Sequence, residues 1–230
     1  ALGWQPVPLT VKEARPLAEM LPVAALPALE VAPAPEQPSA PRLQVEGLRF
    51  SYNGQETLRG IDLSVGAGEA VALLGRNGAG KSTLLKCVVG LLRGQAGEVR
   101  VNGHSTRGRH VADICREVGY LPQNADDLLF ADTVAEEMRV TLRNHGQTAS
   151  AAERAAWLAR LGLTELAGAY PRDLSAGQRQ RVALGAVTVT QPRLLLLDEP
   201  TRGLDRAAKA ALAALWRGWL AEGVAILLVT

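Results

Sequence analysis

From Leu43 onward the chain switches between two hydrophobic periods. The stretches "LQVEGLRF" (43–50) and "TLRGIDLSV" (57–65) alternate apolar and polar side chains, as half-buried strands do. "EAVALLG" (69–75) reads as a short buried strand, "GEVRVNG" (97–103) as a strand closed by a turn, and "EVGYLPQ" (117–123) as a further strand. The helical period takes over in "GKSTLLKCVVGLL" (80–92) and again over 133–143, 150–161 and 177–190. A leucine run over 193–197, a helix over 206–221 and a strand over 224–229 complete the pattern. Strands that alternate with helices predict an α/β fold with a mostly parallel sheet covered by helices on its faces. The first strands predict a small antiparallel β layer beside that sheet, and the helices within about 124–190 a helical subdomain. No internal repeat is visible.

Before Leu43 the texture is different. Nine of the 13 prolines lie at or before Pro41, and "LPVAALPALEVAPAPEQPSAP" reads as an extended linker. A short helix starting at Thr10 is predicted ahead of it. The expected organisation is therefore a tail and linker over 1–41, followed by one large domain over 42–230.

Composition narrows the function only by exclusion. A net charge of +2 gives no argument for a nucleic-acid partner. Cys87 and Cys115 have neither metal-ligand nor disulfide spacing, which fits a reducing cytosol. His104, His110 and His145 are expected to be solvated groups in polar loops. No apolar run approaches the roughly 20 residues of a membrane span.

The chemistry is carried by short motifs. "GRNGAGKS" fits G-x-x-x-x-G-K-[ST] between a predicted strand and a predicted helix, the context such a loop requires. Its glycines allow successive N–H groups to converge on one anion, and the helix N-terminus adds partial positive charge. The expected phosphate cradle runs through Gly75, Arg76, Asn77, Gly78, Ala79, Gly80, Lys81, Ser82 and Thr83. Lys81 would reach the β- and γ-phosphates and the Ser82 hydroxyl would coordinate Mg²⁺. Far downstream, "LLLLDEP" ends a buried strand in two carboxylates. Asp198 suits the metal and Glu199 suits the attacking water. Between these motifs, "LSAGQRQR" (174–181) is a second small-residue loop at a predicted helix start, again suited to an anion.

Two phosphate-seeking loops in one domain become intelligible through a resemblance. "GRNGAGKS", "YLPQN", "LSAGQRQR", "LLLLDEP" and "TRGLD" occur in the order and spacing of the ATP-binding cassette (ABC) ATPases, over about residues 43–230. In that family two cassettes pack head to tail, and each signature loop closes on the nucleotide of the other. The resemblance assigns Ser175, Ala176, Gly177 and Gln178 to that trans contact, with Ala176 standing where glycine is usual. It implies ATP and Mg²⁺ as ligands. Tyr52 resembles the aromatic that stacks on adenine, with Phe50 as the alternative. Gln123 matches the glutamine that senses Mg²⁺ and the attacking water, and Asp205 the aspartate that communicates across the dimer.

The segment "QNADDLLFADTVAEEM" (123–138) and "EPTRGLD" further resemble the energy-coupling-factor transporters, importers of vitamins and transition metals, and in particular the second cassette of their fused ATPases. Ala125 and Leu128 depart from that branch's pattern. This resemblance implies a partner cassette upstream in the same polypeptide, a transmembrane coupling subunit, a substrate-binding membrane subunit, and a peripheral position on the cytoplasmic face of the cell membrane. Family members follow the last strand with a histidine that holds the γ-phosphate. The sequence stops at Thr230, so the resemblance implies that this chain binds Mg–ATP and hydrolyses it poorly.

Overall fold

The computed structural model describes residues 40–230. The tail and the linker through residue 39, including the helix expected at Thr10, lie outside the described residues. Strands β1 (Leu43–Tyr52) and β2 (Gln55–Val65) form an antiparallel hairpin. Its turn residues, Asn53 and Gly54, take φ values of 48° and 84°, the left-handed pair that matches the twist of a tight hairpin. Strand β4 (Ala96–Val101) pairs antiparallel with β1, and the short β5 (His104–Ser105) pairs with β4, giving the order β2-β1-β4-β5. This is the expected antiparallel layer. A second sheet is parallel, in the order β3 (Ala70–Leu73), β8 (Ala225–Val229), β7 (Leu194–Asp198), β6 (Val118–Leu121).

Six helices accompany the sheets among the described residues: α1 (Lys81–Val88), α2 (Val111–Ile114), α3 (Val134–Asn144), α4 (Ala151–Arg160), α5 (Ala176–Thr188) and α6 (Arg206–Ala221). Four begin at side-chain caps. Thr133, Ser150, Ser175 and Asp205 each accept a hydrogen bond from the N–H three residues on. Helix α1 is shorter than its apolar pattern predicts. Gly90, at φ 78°, ends it, and a Cβ there would come within 2.9 Å of Ile114 Cδ1.

Two other expectations are corrected. The strand expected at 69–75 is not buried. Among the described residues β3 pairs only with β8, as a sheet edge, and Ala70 and Ala72 are exposed. An apolar run of this length records the parallel pairing, not the cover on its two faces. His104 sits in strand β5 rather than a loop, while His110 and His145 cap the ends of α2 and α3.

The core lies on both sides of the parallel sheet. The leucines of β7 alternate between two apolar clusters. Leu194 and Leu196 face Leu84, Leu85 and Val45, while Leu195 and Leu197 face Met138, Val182, Leu184 and Leu212. Burying each such side chain contributes about 1.5–3 kcal/mol of gross hydrophobic stabilisation. Asp198, the last residue of β7, therefore leaves a rigid, doubly covered strand. The helices within 124–190 share the second cluster with the sheet. No described helix is long and apolar enough to cross a membrane.

Candidate functional site

The loop Gly75–Gly80 leaves β3 and opens α1. Gly78 and Gly80 adopt φ values of 81° and 92°, which side-chain-bearing residues rarely take. At Gly80 a Cβ would also stand 3.1 Å from the carbonyl oxygen of Thr57, so the turn needs glycine twice over. Gly80 caps α1 without any side-chain bond, and the first turn carries no acid. The helix N-terminus thus presents bare N–H groups and its positive end to the cleft. The Lys81 ammonium donates to the carbonyls of Gly75 (2.6 Å) and Arg76 (3.0 Å), which closes the loop into a ring. Ala79 completes that ring by donating its N–H to the Arg76 carbonyl, and Thr83 is buried one turn into α1.

Asp198 is only 3% exposed beneath this loop. Burial pushes its carboxyl above the usual range, the neighbouring Ser82 hydroxyl opposes the rise, Glu199 adds to it, and Lys86 and Lys81 pull against it. Among the described residues no group of three or more His, Cys, Asp or Glu could hold a metal ion. A single carboxylate, a hydroxyl and the nearby Gln123 amide are instead the donors that suit Mg²⁺, which keeps much of its water and completes its shell with phosphate oxygens.

Glu199 follows at the strand end in a left-handed conformation, φ 46°, with its N–H bonded to the carbonyl of Val229 at 2.9 Å. That conformation is costly for a non-glycine residue and holds the carboxylate out of the strand. Its Oε2 accepts from Gln123 Nε2 at 3.2 Å and from Arg202 Nη1 at 3.3 Å. Arg202 was not among the residues expected; a cation three residues after Glu199 in "EPTR" is the signal that could have found it.

Tyr52, Asn77, Gly78, Gly80, Lys81, Ser82, Thr83, Gln123 and Glu199 line one cleft of about 520 Å³, together with Gln55 and Thr57, which carry no motif. Of the two aromatic candidates, Phe50 is buried in the core and packs edge-on to Tyr52 at 4.7 Å between ring centroids. Tyr52 is 44% exposed, on the cleft wall.

The signature loop is elsewhere. Ser175, Ala176, Gly177 and Gln178 line a separate cleft of about 530 Å³ with Gly203, Leu204 and Asp205. Ser175 Oγ accepts from Gln178 N–H while Gln178 Oε1 accepts from Ser175 N–H, a capping box. A Cβ at Gly177 would meet Ala208 Cβ at 3.3 Å, so the glycine permits close approach to α6. The arginines that follow are structural. Arg179 pairs with Asp126 at 2.9 Å, and Arg181 donates to the carbonyls of Leu161 and Gly162.

A family profile described as "ABC transporter" matches residues 58–202. A Streptomyces coelicolor protein inferred to be an ABC transporter ATP-binding protein is 44% identical over 99% of this chain and 45% of its own length. A shorter counterpart from Streptomyces avermitilis is 43% identical over 85% of this chain and 75% of its own. The chain therefore spans about half the length of the first of these relatives. Among solved structures, the cbiO1 protein of Clostridium perfringens, described as part of the ABC transporter complex cbiONQ, superposes with a TM-score of 0.73 at 30% identity, over 83% of this chain and 78% of its own. An ATP-binding subunit of an ABC transporter superposes with a TM-score of 0.71 at 31% identity, over 82% of this chain and 78% of its own.

Proposed function

The chain belongs to the ABC transporter ATP-binding family, and on that premise we propose that it binds and hydrolyses ATP to power a membrane transporter. One observation carries this reading: Lys81 with its loop, Ser82 and the Gln123–Glu199 pair line a single cleft walled by Tyr52, with Asp198 buried beside Ser82 behind it. The adenine stacks on Tyr52, and the phosphates lie over the N-terminus of α1 with Lys81 transferring its donors to them. Ser82, Asp198 and Gln123 would hold Mg²⁺, which when bound neutralises charge on the phosphates. Glu199 accepts a proton from the water that attacks the γ-phosphorus, and ADP leaves with the bridging oxygen.

The trans signature loop, Ser175–Gln178, serves the nucleotide of a second cassette, and Asp205 communicates between the two. The separation of its cleft from the one around Lys81 supports that assignment. We assign the chain to the energy-coupling-factor branch, with a second cassette in the same polypeptide, a transmembrane coupling subunit and a substrate-binding membrane subunit for a vitamin or transition-metal ion. The likeness to cbiO1, a part of the ABC transporter complex cbiONQ, and the segment 123–138 support it, and Phe130, 79% exposed just beyond Gln123, offers an apolar contact to a membrane partner at the cytoplasmic face. The departures at Ala125 and Leu128 favour, as the second reading, another ABC importer or exporter.

Titration of the full-length protein with a fluorescent ATP analogue and Mg²⁺ tests the reading. Lys81→Ala removes charge-assisted hydrogen bonds of about 1.5–3 kcal/mol each and should abolish tight binding. Unchanged affinity would remove Lys81 from the site.

A further inference from the structure

The opposite end of the parallel sheet holds a third cleft that the nucleotide reading does not use. It is about 500 Å³ and opens where α4, α5 and α6 end. Arg193, one of its lining residues, precedes β7, whereas Asp198 ends that strand. The five residue steps from Arg193 to Asp198 place the two sites about 16 Å apart at the usual strand rise.

The charges in this cleft do not balance. Three arginines, Arg42, Arg160 and Arg193, and a single acidic residue, Glu222, are among its lining residues. Glu222 is committed to Arg160 at 2.8 Å. Arg42 and Arg193 have no carboxylate within ion-pair distance among the described residues. The Nε of Arg42 is, moreover, buried with no hydrogen-bond partner among the described residues. A buried donor on a cation that goes unmatched costs stability unless something accepts from it.

The walls are aromatic. Trp157 and Trp219 line the cleft, and Arg160 already lies over the Trp219 ring at 5.7 Å from its centroid. Trp219 is only 5% exposed and is already covered by Arg160, so the half-buried Trp157 is the ring left to receive a planar ligand, while the unmatched arginines call for negative charge on it. At the rim Gln191 is held at φ 54°, a conformation that side-chain-bearing residues avoid and that persists only where the surroundings impose it.

The geometry points to a binding site for a planar aromatic anion, a ring carrying a phosphate or carboxylate, in the cleft formed by Arg42, Arg193, Trp157 and Trp219. A volume of this size suits a small organic ligand rather than a bare inorganic ion. The anionic group accepts from Arg42 and Arg193 and the ring packs against Trp157.

Isothermal titration of the full-length protein with 1-naphthyl phosphate tests this. Saturable binding with a Kd below about 1 mM is expected, with 1-naphthol and inorganic phosphate each at least tenfold weaker. Arg42→Gln and Arg193→Gln should each weaken the binding tenfold or more. Neither should alter affinity for a non-hydrolysable ATP analogue, and saturating that analogue with Mg²⁺ should leave naphthyl phosphate binding unchanged. Absence of saturable binding, equal binding of 1-naphthol, or insensitivity to both substitutions overturns the proposal. Competition by the ATP analogue would assign the binding to the nucleotide cleft instead and overturn it too. If the ATP analogue fails to bind while naphthyl phosphate binds as expected, the nucleotide reading fails and this site stands.

Discussion

Gln123 and Glu199 are 76 residues apart in sequence and meet through a 3.2 Å hydrogen bond from Nε2 to Oε2. One residue follows β6 and the other follows β7. Because β6 and β7 pair in parallel, with Leu121 beside Leu197, their carboxyl ends lie side by side and deliver both side chains to one place. Among the described residues Oε1 of Glu199 has no protein donor, while Oε2 is held by Gln123 and Arg202. Glu199→Gln should therefore keep nucleotide affinity and lower ATP turnover by about 10²–10⁴, since the amide cannot take up the proton of water. Phosphate release by the full-length variant checks this, and hydrolysis at the parent rate would take the role of base away from Glu199.

Tyr52 and Phe50 touch edge to face, yet their substitutions should read out differently. Phe50→Ala empties a core position and should cost about 3–5 kcal/mol of stability. Tyr52→Ala should leave the melting temperature nearly unchanged. It should weaken ATP by about 1–3 kcal/mol, the scale of base stacking in nucleic-acid complexes, and bare triphosphate far less. Equal losses for ATP and triphosphate would mean that Tyr52 does not stack on the base.

Gly177→Asp should leave ATP binding in the Lys81 cleft unchanged, because the two clefts share no lining residue. In the full protein it should block hydrolysis by placing a carboxylate against the partner nucleotide's γ-phosphate. Gly177→Ala isolates the steric part of the change, the contact with Ala208. Loss of ATP binding to the isolated 230-residue chain in the aspartate variant alone would show that the loop acts in cis.

Glu137 gives the chain a pH dependence. Its side chain is 3% exposed and accepts from the N–H of Ala131 at 2.7 Å. Burial raises its pKa above 4.5, although hydrogen bonds from Ala131 and Phe130 pull the other way. The folded chain thus holds this proton more tightly than the unfolded one. The resulting stability is fully present below pH 4.5 and is lost as pH rises through the folded value. Melting temperatures measured from pH 4.5 to 7 should fall more for the parent than for Glu137→Gln, whose amide does not titrate. Parallel curves would contradict the assignment.

Much of this was legible in the residue order. The helix over 206–221 is found at those bounds, because Asp205 caps it and its apolar stripe is regular. The loop from Gly75 to Ser82 is local: its conformation depends on glycines at fixed positions and on the strand and helix that flank it, all contiguous in the chain. The tertiary structure decided what depends on distant neighbours. It buried Phe50 and left Tyr52 on the cleft wall, although both lie on one face of β1, because a sheet face is only partly covered and the pattern does not record where the cover stops. It made β3 an edge strand, because parallel pairing and burial are separate properties. It brought Arg202 and Gln123 to one oxygen of Glu199, and drew Arg42, Arg160 and Arg193 into one cleft from the start of β1, the end of α4 and the entry to β7. No spacing rule joins residues that far apart, since their meeting is set by strand order and helix packing rather than by local conformation.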